Sequence, residues 1–196
     1  MVVSAKKNVP FMAWAGRKSE PTMAVVELLS CLKPVDLSLL KAASFGRSGL
    51  FLALLGEPDR RYPDLAPLLV QLASDQLLVS QVSLRETNLL SALAACCLGE
   101  QPIGATVVLP LSLCGEDRTG RRVLCEPGQH HLLAIPAERQ ADARLLASAQ
   151  HVPLWPLGRT TGQQLAIRLS EGPGAEPFPM VLRLSLPELR EKLSPQ

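Results

Sequence analysis

Five groups of residues in this chain have types and spacings that could do chemistry. Gly158-Arg159-Thr160-Thr161-Gly162 sets an arginine and two hydroxyls between glycines, a pattern that could cradle phosphate. It lacks the G-x-x-x-x-G-K-[ST] spacing of a phosphate loop, so a tight strand-to-strand turn is the better reading. His130 and His131, with Cys125 and Glu126 nearby, could ligate a metal. Adjacent residues on a strand point to opposite faces, however, so the two histidines cannot easily share one ion, and no metal site is expected. Ser83, Arg85 and Glu86 could form a catalytic loop, but Ser83 followed three residues later by Glu86 is also the signature of a helix start. Cys96 and Cys97 could be redox-active; their place on an apolar helix face favours core packing. Arg17, Lys18 and Ser19 form a candidate anion-binding loop, with a solvated loop as the plainer reading.

These groups need elements to position them. The chain has 196 residues, 47% hydrophobic and 19% charged, enough for one domain with a buried core and an appended segment. The net charge is +2 and no basic run exceeds two residues, so neither nucleic acid nor a membrane surface is expected as a partner. The start lacks the apolar run of a signal peptide, and no stretch is apolar enough to span a bilayer. The five cysteines are odd in number and contain no CxxC pair, which reads as reduced, buried thiols in a cytoplasmic protein.

Strand-like segments are expected at 8–16, Met23–Leu32 (where a helix is the alternative), Gly49–Leu55, Leu77–Val82, Ile103–Leu113, Arg121–Cys125, His130–Ile135, Leu154–Leu157, Gln164–Leu169 and Met180–Leu184. A short amphipathic piece is expected at 37–43. The spacing predicts helices from Leu65 with Asp64 as cap, over Arg85–Leu98 stopped by Gly99, over Ala137–Ala149 with Ala141, Leu145, Leu146 and Ala149 on one side, and over Leu186–Leu193 capped by Ser185. The sum is an α+β fold with a mixed sheet and helices.

The order of segments resembles the AIR synthase superfamily, and within it the formylglycinamide ribonucleotide amidotransferase. The tail VPLWPLGRTTGQQLAI followed by LSLPELREKL is similar to that family's valine-proline strand, "GRVTG" turn and closing "LREAW" helix, with Gly158, Arg159, Thr161 and Gly162 in the turn. RSGLFLALLGEP resembles the strand that opens its C-terminal domain, and VLCEPGQHHLLAIP a later segment, with Glu126, Pro127 and Gly128 at the acidic and glycine positions. The resemblance implies a remnant of an N-terminal domain over 1–45 and a C-terminal-like domain over 46–196. It also implies a cleft loop, "S-x-H-D-x-S-D-G-G-L" in the family, at Ser80 to Leu89. There Val82 replaces the histidine, Ser83 the first aspartate and Glu86 the second, while Thr87 and Asn88 replace both glycines. Valine transfers no proton, and side chains at the glycine positions block close approach of phosphate to the backbone. The family's "GKDS" becomes Gly16-Arg17-Lys18-Ser19.

The resemblance therefore implies no catalytic residues and no expected cofactor. It implies a pseudoenzyme-like domain working in protein interaction or as a scaffold, as a homodimer or docked on a fuller synthase-like protein. Apolar segments such as Met23–Leu32 and Gly49–Leu55 would then be hidden by the partner. The alternative is a divergent subunit or fragment of the purine-biosynthetic phosphoribosylformylglycinamidine synthase. That would be an ATP- and Mg²⁺-dependent ligase, active only with its missing part.

Overall fold

The computed structural model describes residues 25–32, 44–57, 62, 64–115, 119–171 and 180–193. The expected strand at 8–16, the piece at 37–43 and the candidate anion loop Arg17, Lys18 and Ser19 lie outside them.

Seven strands form one mixed sheet: β1 Leu50–Leu55, β2 Ser80–Ser83, β3 Ala105–Pro110, β4 His131–Pro136, β5 Leu154–Thr160, β6 Gln164–Ser170 and β7 Met180–Ser185. Their order is β2-β4-β1-β5-β3-β6-β7. All neighbours are antiparallel except β3 and β6, which run parallel. Among the described residues six α-helices complete the α+β fold: α1 Val25–Ser30, α2 Ala66–Ser74, α3 Leu89–Cys97, α4 Arg121–Cys125, α5 Gln140–Ala149 and α6 Leu186–Leu193. Among the described residues no helix is long and apolar enough to cross a membrane.

The unbroken run of β1 is buried at all six positions because the strand lies mid-sheet with both faces covered. Its even-numbered leucines join one core with α1, α3, α4 and α6. Phe51, Ala53 and Leu55 join a second core with α2 and α5 on the opposite face. Gly49–Leu55 is thus covered from within the chain rather than left for a partner. Of residues 1–45, Leu28, Leu32 and Phe45 belong to the first core.

Several expected elements take another form. Met23–Leu32 holds the helix α1 instead of the favoured strand, since Leu28 and Leu32, one turn apart, are both buried. Arg121–Cys125 is helical, not alternating: Val123 and Leu124 are adjacent and both buried, which a strand could not arrange on one face. In α5 the buried residues are Ala143 and Ala147, while Leu145 is 71% exposed. Small side chains let that helix lie close to the sheet, and this overrides the more apolar stripe that contains leucine. Leu65, not Asp64, stands at the cap position of α2, although Asp64 Oδ1 accepts from the Ala66 N–H (2.8 Å); Ser185 with Glu188 forms a reciprocal cap at α6, as the sequence indicates.

The cysteine reading needs correction at two positions. Cys31 and Cys125 form a disulfide, with Cα atoms 5.2 Å apart across a separation of 94 residues. Folding sets the end of α1 against the end of α4, a proximity that spacing along the chain cannot reveal. Cys96, Cys97 and Cys114 are buried and outside this disulfide. Burial pushes the Cys96 thiol up to about 12, and that of Cys97 upward as well, so neither is a nucleophile.

Candidate functional site

The strand–loop–helix unit from β2 to α3 positions the residues singled out in the sequence. Ser80 and Val82 point into the first core, paired with Ala134 and Leu132 of β4. Ser83, the last residue of β2, pairs with His131 and does not cap a helix. Arg85 and Glu86 are exposed in the loop, and Thr87 is half-buried. The expected pairing of Ser83 with Glu86 at a helix start is therefore wrong: α3 begins at Leu89, and Asn88 is its cap.

Asn88 is the pivot of this end of the molecule. It is 1% exposed. Its Oδ1 accepts the Ser91 N–H at 2.7 Å, and its Nδ2 donates to the Cys31 carbonyl at 2.8 Å. Its backbone bridges to Pro127. The amide thus satisfies one of the orphan N–H groups of α3 and ties down the end of α1 together. Sequence reasoning marked Asn88 as a lost glycine and missed this role, although asparagine ahead of Leu89 and Leu90 is itself an N-cap signal.

The loop is held along its other side by backbone. Leu84 N–H donates to the His130 carbonyl (3.0 Å), and Gly128 N–H to the Leu84 carbonyl (2.8 Å). A Cβ on Gly128 would fall 2.0 Å from the His130 ring, so a side chain there would displace that ring. His130 is 2% exposed, and neither ring nitrogen has a hydrogen-bond partner. Burial, and then His131, lower its pKa to about 4. His131 is lowered too, by burial and by Arg85. Both imidazoles are neutral at pH 7. Cys125 is bonded to Cys31, and among the described residues no three His, Cys, Asp or Glu side chains converge as metal ligands.

The segment Gly158 to Gly162 is not a hairpin turn. Gly158, Arg159 and Thr160 belong to β5, and β3 lies between β5 and β6. The connection wraps the start of β3: Thr161 N–H donates to the Gly104 carbonyl (2.8 Å) and Gly104 N–H to the Gly162 carbonyl (2.9 Å). Thr160 Oγ1 accepts the Leu50 N–H and donates to the Arg47 carbonyl, so its hydroxyl is structural.

No protein-family model and no curated protein matches the sequence. Solved structures do match the fold. Thermotoga maritima PurL complexed with ATP superposes with a TM-score of 0.60 at 13% identity, over 75% of this chain and 26% of that one. The chain shares the fold of the superposed part of that structure. Within that fold, phosphoribosylformylglycinamidine synthase II from the same organism gives 0.55 at 13% identity, over 75% of this chain and 27% of that chain. The HypE-HypF complex gives 0.51 at 9% identity, over 69% and 54%. This chain spans about a quarter of the length of the two Thermotoga structures. At these identities the likeness is one of fold.

ATP, named with the first of these structures, and the Mg²⁺ that the resemblance implies would need phosphate ligands and carboxylates. The described residues at the β2–α3 end do not fit it. The Asn88 side chain already occupies the cap of α3, Val82 faces the core, and no carboxylate set converges.

Proposed function

We propose that this chain is a non-catalytic, pseudoenzyme-like domain of AIR synthase-like fold that works through protein interaction. Asn88 carries the reading. A helix N-terminus receives an anion only if its N–H groups are free to turn toward it. Here the Asn88 amide takes the Ser91 N–H and is itself held by the Cys31 carbonyl. Val82, where the family resemblance puts histidine, can neither donate nor accept a proton. A partner role is supported by the HypE-HypF match, which is by its own name a complex. The partner would be a second copy or a fuller synthase-like protein, and the location cytoplasmic.

A second reading has the match to PurL complexed with ATP in its favour. In it the chain is a divergent subunit or fragment of phosphoribosylformylglycinamidine synthase that binds ATP with Mg²⁺ and is active only with a partner. Isothermal titration of ATP with Mg²⁺ into the purified chain, its oligomeric state first fixed by light scattering, separates the two. The proposal expects no binding heat up to millimolar nucleotide. Saturable binding would overturn it in favour of the ligase subunit.

A further inference from the structure

Among the described residues the sheet is covered unevenly. One face carries α1, α3, α4 and α6 along its length. On the other, the core under α2 and α5 includes residues of β1, β4 and the start of β5, and none of β3, β6 or β7. The pairing registers show what stands on the open half. Arg159 lies opposite Phe51 on one side and Thr106 on the other. Thr106 lies opposite Ala166, and Ala166 opposite Arg183. Laterally paired residues share a face, so one row across four strands reads Arg159, Thr106, Ala166, Arg183. Arg168, two residues along β6, shares that face beside Val108. Beyond Arg159 the row reaches Phe51, whose ring lies 5.7 Å under the Arg144 guanidinium of α5.

Among the described residues this face is cationic, and no carboxylate pairs with its arginines. Arg159, Arg183 and Thr106 are exposed. The Nε of Arg168 is buried without a partner. Arg183 Nε donates to Gln164 Oε1 at 2.7 Å, which orients the side chain but leaves its charge. Among the described residues the ion pairs are Arg122 with Glu126 and Arg139 with Asp142, and none involves these arginines.

We infer that the open half-sheet docks an extended acidic segment of a partner protein, a reading that rests on the interaction role proposed above and names the partner's chemistry. Guanidinium groups match carboxylates with two parallel hydrogen bonds. Arg159 and Arg183 stand three strands apart, roughly 14 Å at about 4.8 Å per strand. Carboxylates at positions i and i+4 of an extended chain, at about 3.4 Å per residue, have the same separation. Between the arginines Thr106 is exposed and Val108 half-buried over a buried Ala166, a floor without large side chains for such a segment to cross. Small-molecule sites are concave, and this face is a sheet surface. A second copy docked by the same patch would set these arginines against themselves.

The test uses the isotope-labelled full chain and a synthetic peptide of alternating glutamate and threonine, followed by amide shifts in NMR. Shifts should centre on Thr106, Val108, Ala166, Arg168 and Arg183. The double variant Arg159→Ser/Arg183→Ser should bind about tenfold more weakly or worse, whereas Arg121→Ser, off this face, should bind as the parent does. Absence of binding, shifts centred elsewhere, or tighter binding of tripolyphosphate or an oligonucleotide to the same residues would overturn the inference. ATP with Mg²⁺ titrated into the same sample keeps the two readings apart. Nucleotide binding alongside intact peptide binding would remove the non-catalytic reading and leave the docking face. Loss of peptide binding without nucleotide binding would remove only the face.

Discussion

Asn88 shows how one residue can change the meaning of a loop. Its amide makes two buried hydrogen bonds in opposite senses, accepting from Ser91 and donating to Cys31. Asn88→Ala removes both and should cost about 2 kcal/mol in urea unfolding, the upper range for a lost cap. Asn88→Asp keeps the acceptor at a helix N-terminus, where negative charge is favourable, and loses only the donor, so about 1 kcal/mol is expected. Equal losses in the two variants would mean that the cap contributes nothing. His130 gives a pH dependence. Its folded pKa, about 4, lies below the ordinary 6.5, because burial disfavours the cation and His131 adds to that. The unfolded chain therefore binds the proton more tightly. Stability from this group is complete above pH 6.5, declines as pH falls from 6.5 to about 4, and changes no further below that. The full span is roughly 3 kcal/mol. Unfolding free energies measured across this range should show the decline, and His130→Phe should remove most of it, with His131 leaving a remainder in the same direction. A slope unchanged in the variant would assign it to other groups. The sequence displays both histidines, but only the fold reveals that His130 is enclosed beside Gly128 and that Asn88, not Ser83, opens α3.

At the scale of elements, the legible ones carried their own signals. β1 is an unbroken apolar run between glycines, α6 has the Ser185 and Glu188 pair at its start, and α2 has Asp64 before Pro67. The segments α1 and α4 were not legible because five or six residues contain too little periodicity to separate helix from strand. The face of α5 was misread because two stripes fit the helical spacing, and closeness to the sheet selected Ala143 and Ala147 over Leu145. The misread turn at Gly158–Gly162 has the most physical content. Two strands close in sequence look like a hairpin, yet β3 inserts between them. That insertion depends on close backbone approach. A Cβ on Gly104 would meet the Gln164 carbonyl oxygen and nitrogen, and one on Gly158 the Thr106 carbonyl oxygen. Backbone atoms in paired strands cannot give way as a flexible side chain can. Gly104→Ala should therefore destabilise by 3 kcal/mol or more, at the top of the usual range of about 1–3 for overpacking, read as a drop in the thermal midpoint. Gly162→Ala is the contrast: nothing lies within 4 Å of its Cβ, and its cost is limited to the strain of φ +69°. If the two variants melted together, the β3 crossing would not be the constraint described here.

At the scale of the whole molecule, the Cys31–Cys125 bond decides how firmly the first described segment is attached. α1 reaches the core through Leu28 and Leu32, and its end is tied to Asn88 and to Cys125. A crosslink over 94 residues restricts the unfolded chain strongly, by up to about 4.7 kcal/mol in the chain-entropy account. Reduction, or the double variant Cys31→Ser/Cys125→Ser, should lower the unfolding free energy by as much as that while leaving the sheet intact. The bond also bears on location, since a reducing cytoplasm opens exposed disulfides and both of these cysteines are only half-buried. Thiol counting addresses both points. Without reductant, the denatured protein should present three thiols, those of Cys96, Cys97 and Cys114. In the native state those three are buried, so brief mild reduction followed by alkylation should label only Cys31 and Cys125. Five alkylated cysteines in chain denatured in alkylating agent at lysis, without reductant, would mean that the pair is reduced in the cell. Its contribution would then fall to that of a packing contact, and the attachment of α1 would rest on Leu28, Leu32 and the Asn88 amide alone.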